Sequence, residues 1–247
     1  LMDNGNVSII DLQKMRRKFN LNWQNGWYLK RIPLDENNTA RIPTHVTFHA
    51  PSKTYLVAST EISSDFTLPQ DEYAPISDNQ SASPYSGPVS KLFGAISNAL
   101  HLINPISWTC VDSISESILP YEGVTCIRCL ELETRQTASG FSPFLTVGTA
   151  YQKGEDRPIR GRSFVFDVAE VVPEPGKPET NRKLRLKGIT EFKGPVMAFT
   201  PLLQGNVAIS VGAKVIVNTF EEDEKFAGVA FSDVGTCTLA LASIKSL

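Results

Sequence analysis

Apolar residues in this chain come in short runs, rich in Val, Ile, Phe and Thr and broken by turn-forming residues. Val46-Thr47-Phe48 and Tyr55-Leu56-Val57-Ala58-Ser59 alternate. Val124 to Leu132, Phe144 to Val147, Ser163 to Val168, Gly194 to Phe199, Val207 to Val211, Lys214 to Phe220 and Phe226 to Phe231 follow the same pattern. Most span about 4–8 residues, the ordinary length of a strand. Asn4-Gly5-Asn6 is a hairpin signal ahead of Val7 to Ile10. Helical spacing occurs once, at Val89, Leu92, Phe93, Ile96, Ala99 and Leu100. Gly94 and Asn98 weaken that helix, and its tail, Leu100 to Ile103, reads equally as a strand. The chain is therefore expected to be all-β, with antiparallel strands in a sandwich, a barrel or a propeller.

Charge narrows the class. The 247 residues carry 24 Lys and Arg against 26 Asp and Glu, a net charge of −2. A dedicated nucleic-acid-binding domain shows a basic excess instead. No apolar run reaches the ~18 residues of a membrane-spanning helix. Four cysteines, Cys110, Cys126, Cys129 and Cys237, are too few for a disulfide scaffold at this length, which favours a reducing compartment. Leu1 rather than Met opens the chain, without a secretory signal, and a segment of a larger polypeptide is expected. Residues 61–99 read as a flexible, disordered insert, because Glu61 to Ser90 is dense in Ser, Pro, Asp and Asn and holds few apolar groups. Pro173-Glu174-Pro175-Gly176-Lys177-Pro178 reads as a stiff surface excursion. The whole of 1–247 is expected to belong to one domain around that insert.

The constellations that could carry chemistry are sparse. Cys126-Ile127-Arg128-Cys129 is a CxxC, but on a strand its odd spacing sends the thiols to opposite faces, and no second pair completes a zinc site. His45 and His49 share a strand face without a third ligand, and hydrogen bonding at a turn or strand edge accounts for them better. GxSxG, GxxxxGK[ST] and GxGxxG are absent, and neither Glu221-Glu222 nor Glu131 with Glu133 forms a marked acid–base dyad. No catalytic, cofactor or metal residue is expected. Basic clusters remain: Lys14 to Lys18, then Arg157, Arg160 and Arg162, then Arg182 to Lys187. If the third is a strand, Lys183, Arg185 and Lys187 form one stripe, able to meet phosphate or simply to guard a sheet edge. Arg160, Arg162, Lys183, Arg185 and Lys187 are thus the candidate RNA- or partner-binding residues. No aromatic platform interleaves with them.

A series of short motifs then carries a resemblance. It runs Gly148-Thr149-Ala150, Gly154-Glu155-Asp156, Arg160-Gly161-Arg162, Phe164-Val165-Phe166-Asp167-Val168, Glu170 to Thr180 (EVVPEPGKPET), Lys193-Gly194-Pro195-Val196, Val211-Gly212-Ala213-Lys214-Val215 and Gly228 to Asp233. The series resembles the large (A) subunit family of the cleavage and polyadenylation specificity factor. The EVVPEPGKPET run discriminates best, since the sibling large subunits of damaged-DNA-binding and branch-site splicing complexes share the GTA, GR and KGPV elements without it. Upstream, Ile42 to His45 with Phe48, His49 and Tyr55 looks like the family's strand before a variable insert, and Ile103 to Trp108 like the strand after it.

The resemblance implies a piece of a seven-bladed, WD40-like β-propeller, the last of three in the family. At about 40–45 residues per blade there is room for three to five blades, so the ring would stay open at both ends. It also implies a non-enzymatic scaffold, located in the nucleus, that holds other subunits of the cleavage and polyadenylation factor, with pre-mRNA contact secondary. A direct RNA-binding module and the sibling scaffolds are the alternatives.

Overall fold

The computed structural model describes residues 2–3, 6–7, 32, 34, 41–62, 96–119, 122–151, 159–173, 175–176, 180–221 and 225–244. A short hairpin pairs β1 (Met2–Asp3) with β2 (Asn6–Val7), where the Asn-Gly signal predicts it. Residues 8–10, the basic cluster at 14–18, the motif at 154–156 and Arg157 lie outside the described residues.

Among the described residues, twelve further strands form three antiparallel four-stranded sheets. The first holds β3 (Ile42–His49), β4 (Thr54–Ile62), β5 (Ile96–Asn104) and β6 (Thr109–Ile114) in chain order. The second holds β7 (Glu122–Glu133), β8 (Phe141–Tyr151), β9 (Gly161–Glu170) and β10 (Arg182–Phe192). The third holds β11 (Val196–Pro201), β12 (Val207–Val211), β13 (Lys214–Glu221) and β14 (Lys225–Asp233). The first strands β3, β7 and β11 pack in succession, as do the last strands β6, β10 and β14. Each sheet is therefore a blade with its first strand inside and its last at the perimeter, the expected partial propeller.

The core sits in the seams between blades. Leu56, Ala58, Leu100 and Leu102 of the first blade pack on Val124, Leu145, Val147, Phe164, Phe166 and Leu184 of the second. Across the next seam, Leu130, Leu132, Phe144 and Val165 meet Val196, Phe199, Val207, Ile209, Phe220 and Phe226. Strand β7 feeds both seams through period-2 alternation, with Ile127 and Cys129 on one face and Cys126, Leu130 and Leu132 on the other. A β-bulge between Val124 and Cys126 flips that parity, so even-numbered Val124 joins the odd-numbered face. A third cluster, Ile32, Leu34, Val57 and Ile103, lies on the other face of the first blade.

Several sequence expectations change. Strands reach Glu61 and Ile62 on one side of the insert and begin at Ile96 on the other, so 63–95 is the interval outside the described residues. The helical spacing ends in strand β5, because Leu100 and Leu102 find a sheet partner and a seam to fill. Ile103 and Asn104 finish that strand, but residues 105–108 are a turn, with Trp108 at φ 59°. Val171 N–H donates to the Asn181 carbonyl (2.9 Å) at the base of the proline-rich run, of which residues 174 and 177–179 lie outside the described residues.

Polar contacts stitch the first seam. His49 Nδ1 meets Ser52 Oγ at 2.7 Å, and Nε2 meets the Pro143 carbonyl of the second blade at 3.1 Å. Leu184 N–H donates to Asp112 Oδ2 (2.7 Å). Both seam imidazoles, His45 and His49, titrate below the usual histidine range, chiefly because burial penalises the charged ring, against opposing bonds to the Thr125 and Pro143 backbones. A folded-state pKa below the unfolded 6.5 means the unfolded chain binds protons first. The stability held by these neutral rings is complete above pH 6.5 and is lost as pH falls through the window beneath it. The melting temperature should fall between about pH 7 and pH 5.5, and His49→Asn should flatten that dependence; an unchanged slope contradicts the assignment.

Candidate interaction surface

The motif residues Gly148-Thr149 and Gly161-Arg162 converge on one buried carboxylate. Glu122 opens β7 and is 0% exposed. Its Oε1 accepts from Arg162 Nε (2.9 Å) and from the Thr149 hydroxyl; its Oε2 accepts from Arg162 Nη2 and from Leu119 N–H (3.0 Å). Arg162 Nη2 also donates to the Ser117 carbonyl (3.3 Å), and the guanidinium carbon lies 4.8 Å from the Phe164 ring centroid. From the first blade, Asn98 Nδ2 donates to the Glu122 carbonyl (2.6 Å). Burial alone would lower the Arg162 pKa, but bonding and attraction to Glu122 outweigh it and raise the value. This is a two-pronged arginine–carboxylate pair in which each carboxylate oxygen accepts two hydrogen bonds.

The glycines of these motifs are set by close approach. A Cβ on Gly161 would lie 2.3 Å from the Thr149 carbonyl oxygen and 2.8 Å from Val196 N. On Gly148 it would meet Cys126 Sγ at 2.6 Å and Val196 Cγ1 at 2.8 Å. Thr125 also donates its hydroxyl to the Val196 carbonyl. The GTA, GR and KGPV elements are thus one contact, the inner seam between the second and third blades.

The five candidate binding residues do not form one patch. Arg162 is in the interior, committed to Glu122, a correction to its reading as a surface group. Arg160 is exposed at the end of the second blade where β7 begins. Lys183 and Arg185 are exposed toward the other end, since Lys183 pairs with Ala169 whereas Phe192 pairs with Gly161. At ~3.3 Å per residue, the two ends lie roughly 30 Å apart. Arg185 pairs with Asp167 at 3.2 Å. A bulge between Leu186 and Gly188 takes Lys187 out of the stripe, and it lines a cleft instead.

The other motifs are accounted for in the seams. Cys126 and Cys129 pack into different seams, and burial pushes the Cys126 thiol up to about 12, leaving it protonated and a poor nucleophile or metal ligand. Glu122, the residue on which the network turns, carries no sequence signal of its own.

Comparison with known proteins places these features in a family. Residues 97–247 match the family model described as the CPSF A subunit region. The chain is 33% identical over 211 residues to Protein cft1 of Neurospora crassa, covering 85% of this chain and 13% of that protein. It is 30% identical over 244 residues to Protein cft1 of Schizosaccharomyces pombe, covering 97% and 16%. It is 28% identical over 229 residues to the cleavage and polyadenylation specificity factor subunit 1 of Drosophila melanogaster, covering 92% and 15%. The chain therefore spans about a seventh of the length of these relatives.

Removing Arg162 leaves Glu122 buried without its cation. Arg162→Ala should lower stability in urea by ~3–5 kcal/mol, and adding Glu122→Leu should recover part of it. Arg160→Ala should change stability by no more than about 0.5 kcal/mol. Gly161→Ala, which overpacks the seam beside Val196, should lower the unfolding free energy in urea by about 1–3 kcal/mol.

Proposed function

This chain belongs to the family of the CPSF A subunit region, and from that premise we propose that it supplies blades of a propeller that serves as a scaffold in the nuclear pre-mRNA 3′-end cleavage and polyadenylation complex. It holds RNA-recognising and processing subunits and catalyses no step itself. The observation that carries the reading is where the motif residues go. Glu122, Thr149, Arg162 and the glycines beside them are spent on one another and on the blade seam. A frame of this kind keeps its turns and rims at fixed positions, which suits a surface that several proteins must share. The relatives' names, Protein cft1 and cleavage and polyadenylation specificity factor subunit 1, favour this complex over the sibling DNA-damage and splicing assemblies.

Direct RNA binding is the second reading, supported by the exposure of Lys183 and Arg185 on one face of β10. Three features weigh against it: the pairing of Arg185 with Asp167, the distance to Arg160 and the burial of Arg162. Lys187, half-buried at its bulge, belongs with the cleft.

The double variant Lys183→Glu, Arg185→Glu in the full-length protein separates the readings. The scaffold reading expects the other cleavage and polyadenylation subunits to co-purify in unchanged amount and RNA crosslinking to hold. A ~tenfold fall in crosslinking with a shallower salt dependence, while subunit recovery is intact, would instead favour direct phosphate contact.

A further inference from the structure

We propose that the second and third blades, at the end where β7 begins, carry a binding site for single-stranded RNA, with phosphates on Arg160, Lys193 and Lys214 and a base stacked on Phe231. Arg160, remote from Lys183 and Arg185, thus belongs to a different cluster.

Close backbone contacts bring these cations together. A Cβ on Gly161 would lie 2.9 Å from the Gly194 carbonyl oxygen, and one on Gly194 would lie 3.4 Å from Gly212 N. Gly212 N–H donates to the Pro195 carbonyl (2.9 Å). Arg160 precedes the first of these glycines, Lys193 precedes the second, and Lys214 follows just after the third. Three cations from distant parts of the chain therefore emerge around one seam, all of them exposed. Arg160 and Lys193 have no ion-pair partner among the described residues. The carboxylates nearby are placed otherwise. Glu191 pairs with Arg162 in the ladder and shares its face, which is turned to the first blade where Arg162 lies over Phe164. Asp233 stands opposite Lys214 and accepts from Gly235 N–H (3.1 Å).

The aromatic group comes from β14. Phe231 is 71% exposed, and Lys214 Nζ lies 5.3 Å from its ring centroid. It pairs with Ile216, which packs into the seam with the second blade, so the ring stands on the side of the third blade turned to the second. A blade following the third would meet the opposite face and leave this ring uncovered.

These features choose the occupant. Clustered cations select a polyanion, and an exposed ring beside them offers a base a stacking surface. A single strand supplies both, because its bases are free to leave their own stack. The choice of RNA over DNA rests on the proposed place of the chain in pre-mRNA processing; the cluster itself does not.

The test measures binding of the purified full-length protein, without the other subunits, to a fluorescent single-stranded RNA of mixed sequence at a series of salt concentrations. The triple variant Arg160→Glu, Lys193→Glu, Lys214→Glu should bind at least ~tenfold more weakly, with a log–log salt slope shallower by about 2, at ~0.7 per phosphate of a single strand. Phe231→Ala should weaken binding by ~fivefold or more with the slope unchanged, and Phe231→Tyr should keep the wild-type affinity. Melting temperatures should not move, since all four side chains are exposed. A full-length chain that binds no RNA, or affinity indifferent to the triple reversal or to Phe231→Ala, overturns the inference. So does a triple variant that keeps its RNA affinity but loses a co-purifying subunit, which makes the surface a protein contact. The scaffold reading is judged apart, by recovery of the other subunits with the wild-type chain: it stands when the RNA result alone fails and falls when no subunit is recovered.

Discussion

The ion pair between Glu122 and Arg162 is the point on which the described blades depend. A carboxylate with no solvent exposure is a large penalty on folding unless each lone pair finds a donor, and here the guanidinium, a hydroxyl and a backbone N–H supply them. Those donors come from the connection entering the second blade and from β8 and β9, while Asn98 ties the Glu122 backbone to the first blade. The pair fixes the start of the innermost strand relative to its neighbours. A buried ion pair is weak evidence for stability in itself, since apolar residues could fill the same volume. Its value here is geometric, because the partners fit at one register only.

Around that point the seams combine two kinds of packing. Large apolar side chains fill both seams, whereas beside Val196 in the second seam a side chain on Gly161 would strike backbone and one on Gly148 would strike packed side chains. Blades radiating from an axis must converge, and Gly148 and Gly161 are where the approach of Val196 from the next blade removes the room for a side chain. A motif of glycines beside one arginine therefore reports architecture, although Arg162 in isolation reads as a surface cation able to meet phosphate.

Most of the fold was legible in the sequence because period-2 alternation is a local signal. Phe164, Val165 and Phe166 must divide between two faces, and they do so between two seams. Cys126 and Cys129 separate by the same rule. What was not legible depends on distance or on register. Glu122 meets partners 27 and 40 residues away, Thr149 and Arg162, so nothing near it in the chain marks its role. The bulge at Lys187 breaks an alternation that the sequence displays without interruption, which is why an apparent stripe of three cations is a stripe of two. The turn before Trp108 carries a local signal that the strand reading passed over, Asn104-Pro105, whose Asn104 Oδ1 accepts from Ile106 N–H, whereas the left-handed backbone of Trp108 itself has none.

The pairing of Ile62 with Ile96 bears on the interval between them. Whatever polypeptide lies between them leaves and returns at adjacent points of one ladder, so its ends are joined at a distance independent of its length. The entropic penalty for such a loop rises only logarithmically, about 0.6 kcal/mol for each doubling. The ladder itself therefore sets no limit on the length of this interval, and a fluorescent tag or protease site placed within it would be borne by the ladder on the same terms.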